Sequence, residues 1–105
     1  MLRLGIEVGT FIKAGVVDDS YAILHKVSVP TGGSAGFQTV VQNIVRVAEL
    51  AARETGLTVK DFESVGIGIP GLLNPKSGVV VSAPNLSGWQ NVPFLDAIQD
   101  RRAHV

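Results

Sequence analysis

A short turn near the start of the chain carries residues that could bind phosphate. Residues 4–10 read LGIEVGT, so that Glu7 comes shortly before Gly9 and Thr10. A turn of small residues lets a phosphate come close to backbone N–H groups, and the Thr10 hydroxyl adds a further donor. A carboxylate such as Glu7 could hold a hydrated Mg²⁺ beside those phosphates. The alternative is that this segment is only a tight hairpin, with Glu7 capping a backbone group or solvated.

A second glycine-rich segment lies in the middle of the chain. Gly66, Gly68 and Gly71 follow the spacing of a dinucleotide-binding fingerprint. That fingerprint must open a helix, whereas Gly71 runs into turn residues at 74–75 and then into a β-rich run, so we reject this interpretation. Two alternatives remain. Either Gly71 brings the backbone against a ligand, with Leu72 presenting backbone polar groups, or the glycines serve close packing of strands.

A third segment, residues 84–89, supplies side chains that suit a sugar. It reads PNLSGW, with an amide at Asn85 and an indole at Trp89. An amide both donates to and accepts from hydroxyl groups, and an aromatic face covers the apolar side of a sugar ring. Asn85 is therefore a candidate sugar ligand, whereas Trp89 is more often a packing anchor. His25 and His104 have no partner acid at metal-ligand spacing, so we predict no metal-binding set from them.

The elements that position these segments follow from hydrophobic periodicity. Residues 2–8 and 11–17 predict two strands joined by the short turn between them, and residues 21–29 predict a third strand. Strands with such short links must be antiparallel neighbours, because a parallel crossover needs about a dozen residues or more.

One long helix is predicted after the three strands. Apolar residues recur at helical spacing from Phe37 onward, and Ser34 is a plausible N-cap for this helix. Gly56 stands where the end of a helix favours a left-handed residue. Residues 65–69 then form an apolar run that is typical of a buried strand.

The last third of the chain is predicted to consist of several short elements. The interpretation is a turn at 74–78, a strand at 79–82, a loop at 84–91, a helix at 92–101 and the start of a further strand at 103–105.

Composition bounds the class of protein. The chain has 105 residues, enough for one domain, and its 9 Lys and Arg residues balance 9 Asp and Glu residues. It therefore lacks the basic field that nucleic acid or an anionic membrane attracts, so we expect neither partner. The apolar stretch at 65–73 is too short to cross a membrane, and the start does not read as a signal peptide. Cysteine is absent, which fits a reducing compartment, and we expect a cytoplasmic protein.

Three segments together resemble one known family. In their order and spacing, residues 4–18, 65–80 and 83–93 are similar to the amino-terminal half of the ROK family (repressors, open reading frames and sugar kinases), whose best-known members are bacterial glucokinases. The resemblance covers essentially the whole chain. It implies an α/β fold, the ribonuclease-H-like (actin-like ATPase) lobe, in which three antiparallel strands are followed by helix, strand and helix.

The resemblance also implies an activity and its ligands. The activity is transfer of the γ-phosphoryl group of ATP, bound with Mg²⁺, to a hydroxyl of a hexose. The implied site residues are Glu7, Gly9 and Thr10 for phosphate and nucleotide, and Gly71, Leu72 and Asn85 for the sugar. The chain departs from the family pattern twice, because Glu7 replaces the commoner aspartate and one glycine is missing before Thr10. The missing glycine shortens the phosphate-binding turn.

Other features of the family's kinases are expected beyond Val105. These are the general base, which is the aspartate of an Asn-Asp pair, the zinc motif and the second lobe. We therefore expect residues 1–105 to be a truncated amino-terminal lobe that is inactive alone and that self-associates or forms a homo-oligomer. The alternative, favoured by the shortened turn, is a non-catalytic sugar-sensing or interaction protein derived from the same lobe.

Overall fold

The computed structural model describes residues 1–69 in full and gives the backbone of three further strands. The positions outside this description are 70–71, 75–78, 83–89 and 93–105. Gly71, Asn85 and the predicted helix from residue 93 onward therefore lie outside the described residues.

The first sheet joins the three predicted strands to a fourth. In chain order its strands are β1 (Arg3–Val8), β2 (Phe11–Val17), β3 (Ile23–Pro30) and β4 (Val65–Gly68). Across the sheet the order is β3-β2-β1-β4. β2 pairs antiparallel with both β1 and β3, which confirms the two predicted antiparallel pairings, and β4 runs parallel to β1.

The turn between β2 and β3 is built on Asp18. Its carboxylate accepts hydrogen bonds from the N–H groups of Ser20 (2.9 Å) and Ala22 (3.1 Å), and its C=O accepts one from the N–H of Tyr21 (3.0 Å). Tyr21 takes a left-handed φ of 66°. Because this turn extends to Ala22, β3 begins at Ile23 and not at residue 21 as predicted.

Within residues 1–69, the helix α1 (Phe37–Glu54) covers one face of the first sheet. It confirms the predicted helix and contacts β1, β2 and β3. The buried residues of the helix are Val40, Val41, Ile44, Val47, Ala48, Ala51 and Ala52. The buried residues of β1 and β2 are Leu4, Ile6, Val8, Ile12, Ala14 and Val16. Alternate residues of each strand therefore face the helix, and the others lie on the opposite, open face.

The end of α1 is a Schellman motif. The N–H of Gly56 bonds to the C=O of Arg53 (3.1 Å), and the N–H of Leu57 bonds to the C=O of Ala52 (2.8 Å). Gly56 has a φ of 72°, which confirms the predicted left-handed residue.

The start of α1 differs from the prediction. Ser34 lies within a 3-10 turn, Gly33–Ala35, and the N-cap is Gly36. Gly36 has a φ of 100°, and this positive angle turns the chain out of the 3-10 turn and into the helix. The predicted capping role of Ser34 is therefore wrong.

The prediction of a strand at 65–69 is confirmed by β4, but this strand is not fully buried among the described residues. Val65 and Ile67 are half-buried against the core beside α1, whereas Gly66 and Gly68 are exposed on the open face. The run is apolar on both faces only because its open face consists of glycine.

The second sheet is a three-stranded antiparallel meander. Its strands are β5 (Leu72–Asn74), β6 (Val79–Ser82) and β7 (Gln90–Val92), in the order β5-β6-β7. β6 was predicted, whereas β5 and β7 were not. The predicted loop is wrong at residues 90–91 and the predicted helix start is wrong at residue 92, because these residues pair with β6. None of the helices within the described part of the chain combines the length and hydrophobicity that a membrane-spanning helix needs.

Candidate functional site

The candidate phosphate-binding residues lie at one edge of the first sheet. β1, β3 and β4 run in the same direction, so their carboxyl ends meet at this edge, together with the start of β2. The turn at Gly9 and Thr10 joins β1 to β2 here, and the loop that follows β3 begins here at Thr31. Ligands of open α/β sheets commonly bind outside the carboxyl ends of the strands. The edge is therefore a suitable place for a ligand.

The hydrogen bonds of the turn decide which of its donors are free. The N–H of Gly9 donates to the C=O of Phe11 (3.0 Å), so this group is not available to a phosphate. Thr10 is exposed, and neither its N–H nor its hydroxyl donates a hydrogen bond to any residue that the structure describes. Thr10 thus supplies two free donors, whereas Gly9 contributes a position without a side chain.

Glu7 lies next to the turn, on the open face of the sheet. In the register of the sheet it stands between Lys13 of β2 and Gly68 of β4. Its side chain is exposed and forms no ion pair or hydrogen bond within the described segments. The capping alternative is therefore excluded for these segments. An exposed, unpaired carboxylate suits Mg²⁺, which keeps several waters and takes one or two carboxylates together with substrate phosphates.

The open face carries a groove of about 620 Å³. Three glycines that are neighbours across the sheet, Gly15, Gly5 and Gly66, form its floor. The other lining residues are Ile6, Glu7, Lys13, Ala14, Val17, Ile23 and Lys26. Without side chains at the floor, a ligand or a neighbouring element can approach the backbone of the sheet closely. The two lysines outnumber the one carboxylate, so the groove favours anionic groups.

A polar network lies behind the turn. Thr31, which is 3% exposed, donates its hydroxyl to the C=O of Gly9 (2.5 Å) and its N–H to the C=O of Thr10 (3.4 Å). The side-chain amide of Asn43, on α1, donates to the C=O groups of Thr31 (3.1 Å) and Pro30 (3.3 Å). This network connects the helix to the turn through the loop after β3.

Sequence reasoning missed Thr31, Asn43 and Lys26. Thr31 stands beside a proline and two glycines and reads as an ordinary loop residue, and nothing local marks its hydroxyl as buried. Asn43 interrupts an apolar stripe, and this is the only signal in the sequence that its side chain has a hydrogen-bond partner within the fold. Lys26 of β3 reaches the groove because it pairs with Gly15 of β2. The register between two strands cannot be predicted from the spacing of residues alone.

The carboxylates with shifted pKa lie away from the site. Hydrogen bonds from the Ser20 side chain and the Ala22 N–H hold the pKa of Asp18 below its ordinary value. The amino terminus lowers the pKa of Asp19 by a hydrogen bond of 2.8 Å and by its charge. Both residues follow the end of β2, at the opposite edge of the sheet from Thr10. Asp18 stabilises a turn, and Asp19 pairs with the chain start.

The sugar-side residues are only partly described. Leu72 is the first residue of β5 and pairs with Ser82 of β6. Gly71 and Asn85 lie outside the described residues. Ile69 follows β4 at the same edge of the sheet as the Gly9–Thr10 turn. Within the described ranges, no group of three or more His, Cys, Asp or Glu residues is placed to hold a metal ion.

Comparisons with known proteins identify the family of the chain. The ROK family model matches residues 3–104. The glucokinase of Thermotoga maritima is 34% identical over 102 aligned residues, and the alignment covers 93% of this chain and 30% of that protein. The xylose repressor of Caldicellulosiruptor bescii is 40% identical over 53 residues, which are 50% of this chain and 13% of that protein.

A solved structure shows the same architecture. The ROK family glucokinase of Streptomyces griseus, in complex with glucose and AMPPNP, is 33% identical with a TM-score of 0.82. The alignment covers 98% of this chain and 31% of that one. The chain thus spans about 30% of the length of these glucokinases and matches their amino-terminal part. It belongs to the ROK family and has the actin-like ATPase fold of that family's sugar kinases.

Proposed function

We propose that this chain forms the amino-terminal lobe of an ATP-dependent hexose kinase of the glucokinase type. The observation that carries the proposal is the exposed turn at Gly9 and Thr10, with unpaired Glu7 beside it, at the carboxyl-end edge of the sheet. The glucokinase relatives supply the reaction class. Since the chain spans about 30% of their length, the proposal assigns it this lobe and the phosphate side of the reaction.

On the nucleotide side, the free donors of the turn would bind phosphate oxygens. The N–H and the hydroxyl of Thr10 would donate to them, and Gly9 would let the phosphate approach without a side chain in the way. Glu7 would hold Mg²⁺ through water. When bound, that ion neutralises charge on the phosphate oxygens and supports transfer of the phosphoryl group. The protein's own contribution is positioning, which accounts for much of phosphoryl-transfer catalysis.

On the sugar side, we assign hexose binding to Gly71, Leu72 and Asn85. The Streptomyces griseus relative was solved with glucose, which supports a hexose as the acceptor. β4 ends at the edge that carries Thr10, and Gly71 and Leu72 follow β4 in the sequence, so we propose that one edge serves both substrates. The proposal also includes a cytoplasmic location, which the lack of cysteine suits. It further includes self-association through the outer strands and the open face of the first sheet.

Calorimetric titration of the chain with Mg-ATP, and separately with glucose, tests the proposal. Two donors and one carboxylate form a small site, so we expect weak Mg-ATP binding, with a Kd of about 1 mM. Thr10→Ala should weaken it by about 5-fold, because the hydroxyl donor is lost. Ser64→Ala is the matched control, since Ser64 is also exposed and its hydroxyl forms no hydrogen bond in the described part of the chain.

The outcomes separate the kinase from the alternative. Binding of glucose without any binding of Mg-ATP would favour the non-catalytic sugar-sensing alternative. Micromolar Mg-ATP binding that Thr10→Ala leaves unchanged would contradict the assignment of the phosphate site to this turn.

A further inference from the structure

A buried threonine outside the candidate ligand set controls the geometry of the turn. We infer that Thr31, held in place by Asn43, is a positioning residue that aims the N–H of Thr10 at the phosphate. The inference about the ligand rests on the proposed function, whereas the hydrogen bonds that hold the turn do not depend on it.

Because the peptide bond is planar, the hydrogen bond from the Thr31 hydroxyl to the C=O of Gly9 also sets the direction of the N–H of Thr10. The C=O of Gly9 and the N–H of Thr10 belong to one peptide group, and in a trans peptide these two groups point in opposite directions. No peptide bond among the described residues is cis. The Thr31 hydroxyl binds the C=O of Gly9 from the buried side, so it directs the N–H of Thr10 outward, away from the protein. An exposed donor in a fixed direction is what an anion requires.

The next peptide group is held in the same way. The N–H of Thr31 donates to the C=O of Thr10 at 3.4 Å. One residue therefore engages two consecutive carbonyl groups of the turn and turns both oxygen atoms away from the edge where the phosphate would lie. A carbonyl oxygen that faced a phosphate would repel it, so this orientation removes a cost of binding as well as supplying a donor.

Thr31 is itself fixed from the helix. β3 ends at Pro30, which pairs with Phe11, so regular strand pairing ends one residue before Thr31. From α1, the amide of Asn43 donates to the C=O groups of Pro30 (3.3 Å) and Thr31 (3.1 Å). Gly32 has a φ of 72°, and a Cβ at that position would lie 3.1 Å from the Asn43 amide nitrogen. The same Cβ would lie 3.2 Å from the Thr39 side chain, so the loop packs closely on these two side chains of α1.

A set of variants of the whole 105-residue chain separates positioning from stability. Thr31→Val keeps the shape of the side chain and removes the hydroxyl, and Thr31→Ser keeps the hydroxyl. Ile44→Val, in the core of α1, is the control for a loss of stability without any change at the turn. For each variant we would measure thermal unfolding, backbone ¹⁵N order parameters and the Kd of Mg-ATP.

We expect Thr31→Val to lower the order parameters of Gly9 and Thr10 from the rigid value of about 0.85 toward 0.6. It should also weaken Mg-ATP binding by about 5-fold, whereas Thr31→Ser should stay within about 2-fold of the unsubstituted chain. Ile44→Val should lower the melting temperature and leave the other two measurements unchanged. If Thr31→Val does not fold, Asn43→Ala serves instead, because Asn43 is half-buried and its loss frees the same loop.

The inference is overturned if Thr31→Val lowers only the melting temperature, as Ile44→Val does, or if Thr31→Ser is as impaired as Thr31→Val. Failure of the proposed function gives a different result. In that case the unsubstituted chain does not bind Mg-ATP at all, and the order parameters alone decide whether Thr31 positions the turn.

Discussion

At the scale of single residues, the carboxylates compared in the described part of the chain are of two kinds: some accept hydrogen bonds, and Glu7 accepts none. Asp18 and Asp61 accept hydrogen bonds from nearby backbone and hydroxyl groups, which lower their pKa. Glu7 accepts no such bond within the described segments and faces the groove beside Lys13. The bonded carboxylates stabilise turns, and the unbonded one remains available to a ligand.

The proposed role of Glu7 can be tested by separating its attraction for the metal from its repulsion of phosphate. Glu7→Gln should weaken the binding of Mg-ATP several-fold, because the water-bridged ligand of the metal is lost. The same change should leave the binding of ATP without metal unchanged or strengthen it, because the carboxylate repels free phosphate. Titrations with and without Mg²⁺ measure both effects, and Glu54→Gln at the end of α1 is the exposed control. Equal weakening of both complexes would contradict a role toward the metal.

The carboxylate of Asp61 caps the start of a 3-10 turn, Val59–Asp61, and this predicts that the stability of the chain depends on pH. Hydrogen bonds from the N–H and the hydroxyl of Thr58 lower its pKa in the folded chain below the unfolded value of about 3.9. Its contribution to stability is therefore present above about pH 4 and is lost as the pH falls through the folded pKa. Asp61→Asn cannot ionise, so its urea midpoint should fall less than that of the unsubstituted chain between pH 6 and about pH 2.5. Parallel curves for the two proteins would show that the carboxylate is not linked to folding.

At the scale of elements, β1 to β3 and α1 could be predicted from the sequence because local periodicity and turn residues define them. β5 and β7 could not, since each has three residues and forms only by pairing with β6. The N-cap was assigned to Ser34 from residue type, whereas the positive φ of Gly36 decides it. In the candidate site, Glu7 and Thr10 could be proposed from residue types. Thr31 and Asn43 could not, because their role depends on contacts between distant segments.

The end of α1 offers a matched pair of glycine substitutions. Gly56→Ala should lower the free energy of unfolding by about 1 kcal/mol, because the left-handed φ of 72° costs an L-residue about this much. Gly5→Ala should change it by less than about 0.5 kcal/mol, because a Cβ there meets no atom within 4 Å and no positive φ is involved. Urea unfolding of both variants measures the difference. Equal effects would mean that the Schellman motif does not set the stability of the helix end.

At the scale of the whole molecule, α1 covers one face of the first sheet and the other face carries the groove. Within the described residues, β3 and β4 are the outer strands of this sheet. Ile23 and Leu24 of β3 are 55% and 47% exposed. Zero net charge provides little repulsion between copies. Exposed strand edges and apolar surface are the usual sites of association.

We therefore expect the chain to self-associate as its concentration rises. Light scattering over a dilution series should give an apparent mass that increases with concentration. Ile23→Lys should shift this increase to higher concentration, because it places a charge on the edge strand. Glu54→Gln, at the exposed end of α1, makes the same change of +1 in net charge on a different element and is the control. A monomer at every concentration would contradict the prediction.

The central claim is that a nucleotide binds with its phosphates and metal at the Gly9–Thr10 turn. Titration of the ¹⁵N-labelled chain with Mn-ATP tests this most directly, because the paramagnetic ion broadens the amide signals nearest to it. We predict that the signals of Glu7, Gly9 and Thr10 broaden first, while those of the turn at Asp18 and of Gly56 keep their intensity. Broadening that begins at the opposite edge of the sheet, or that spreads evenly over the chain, would contradict the account.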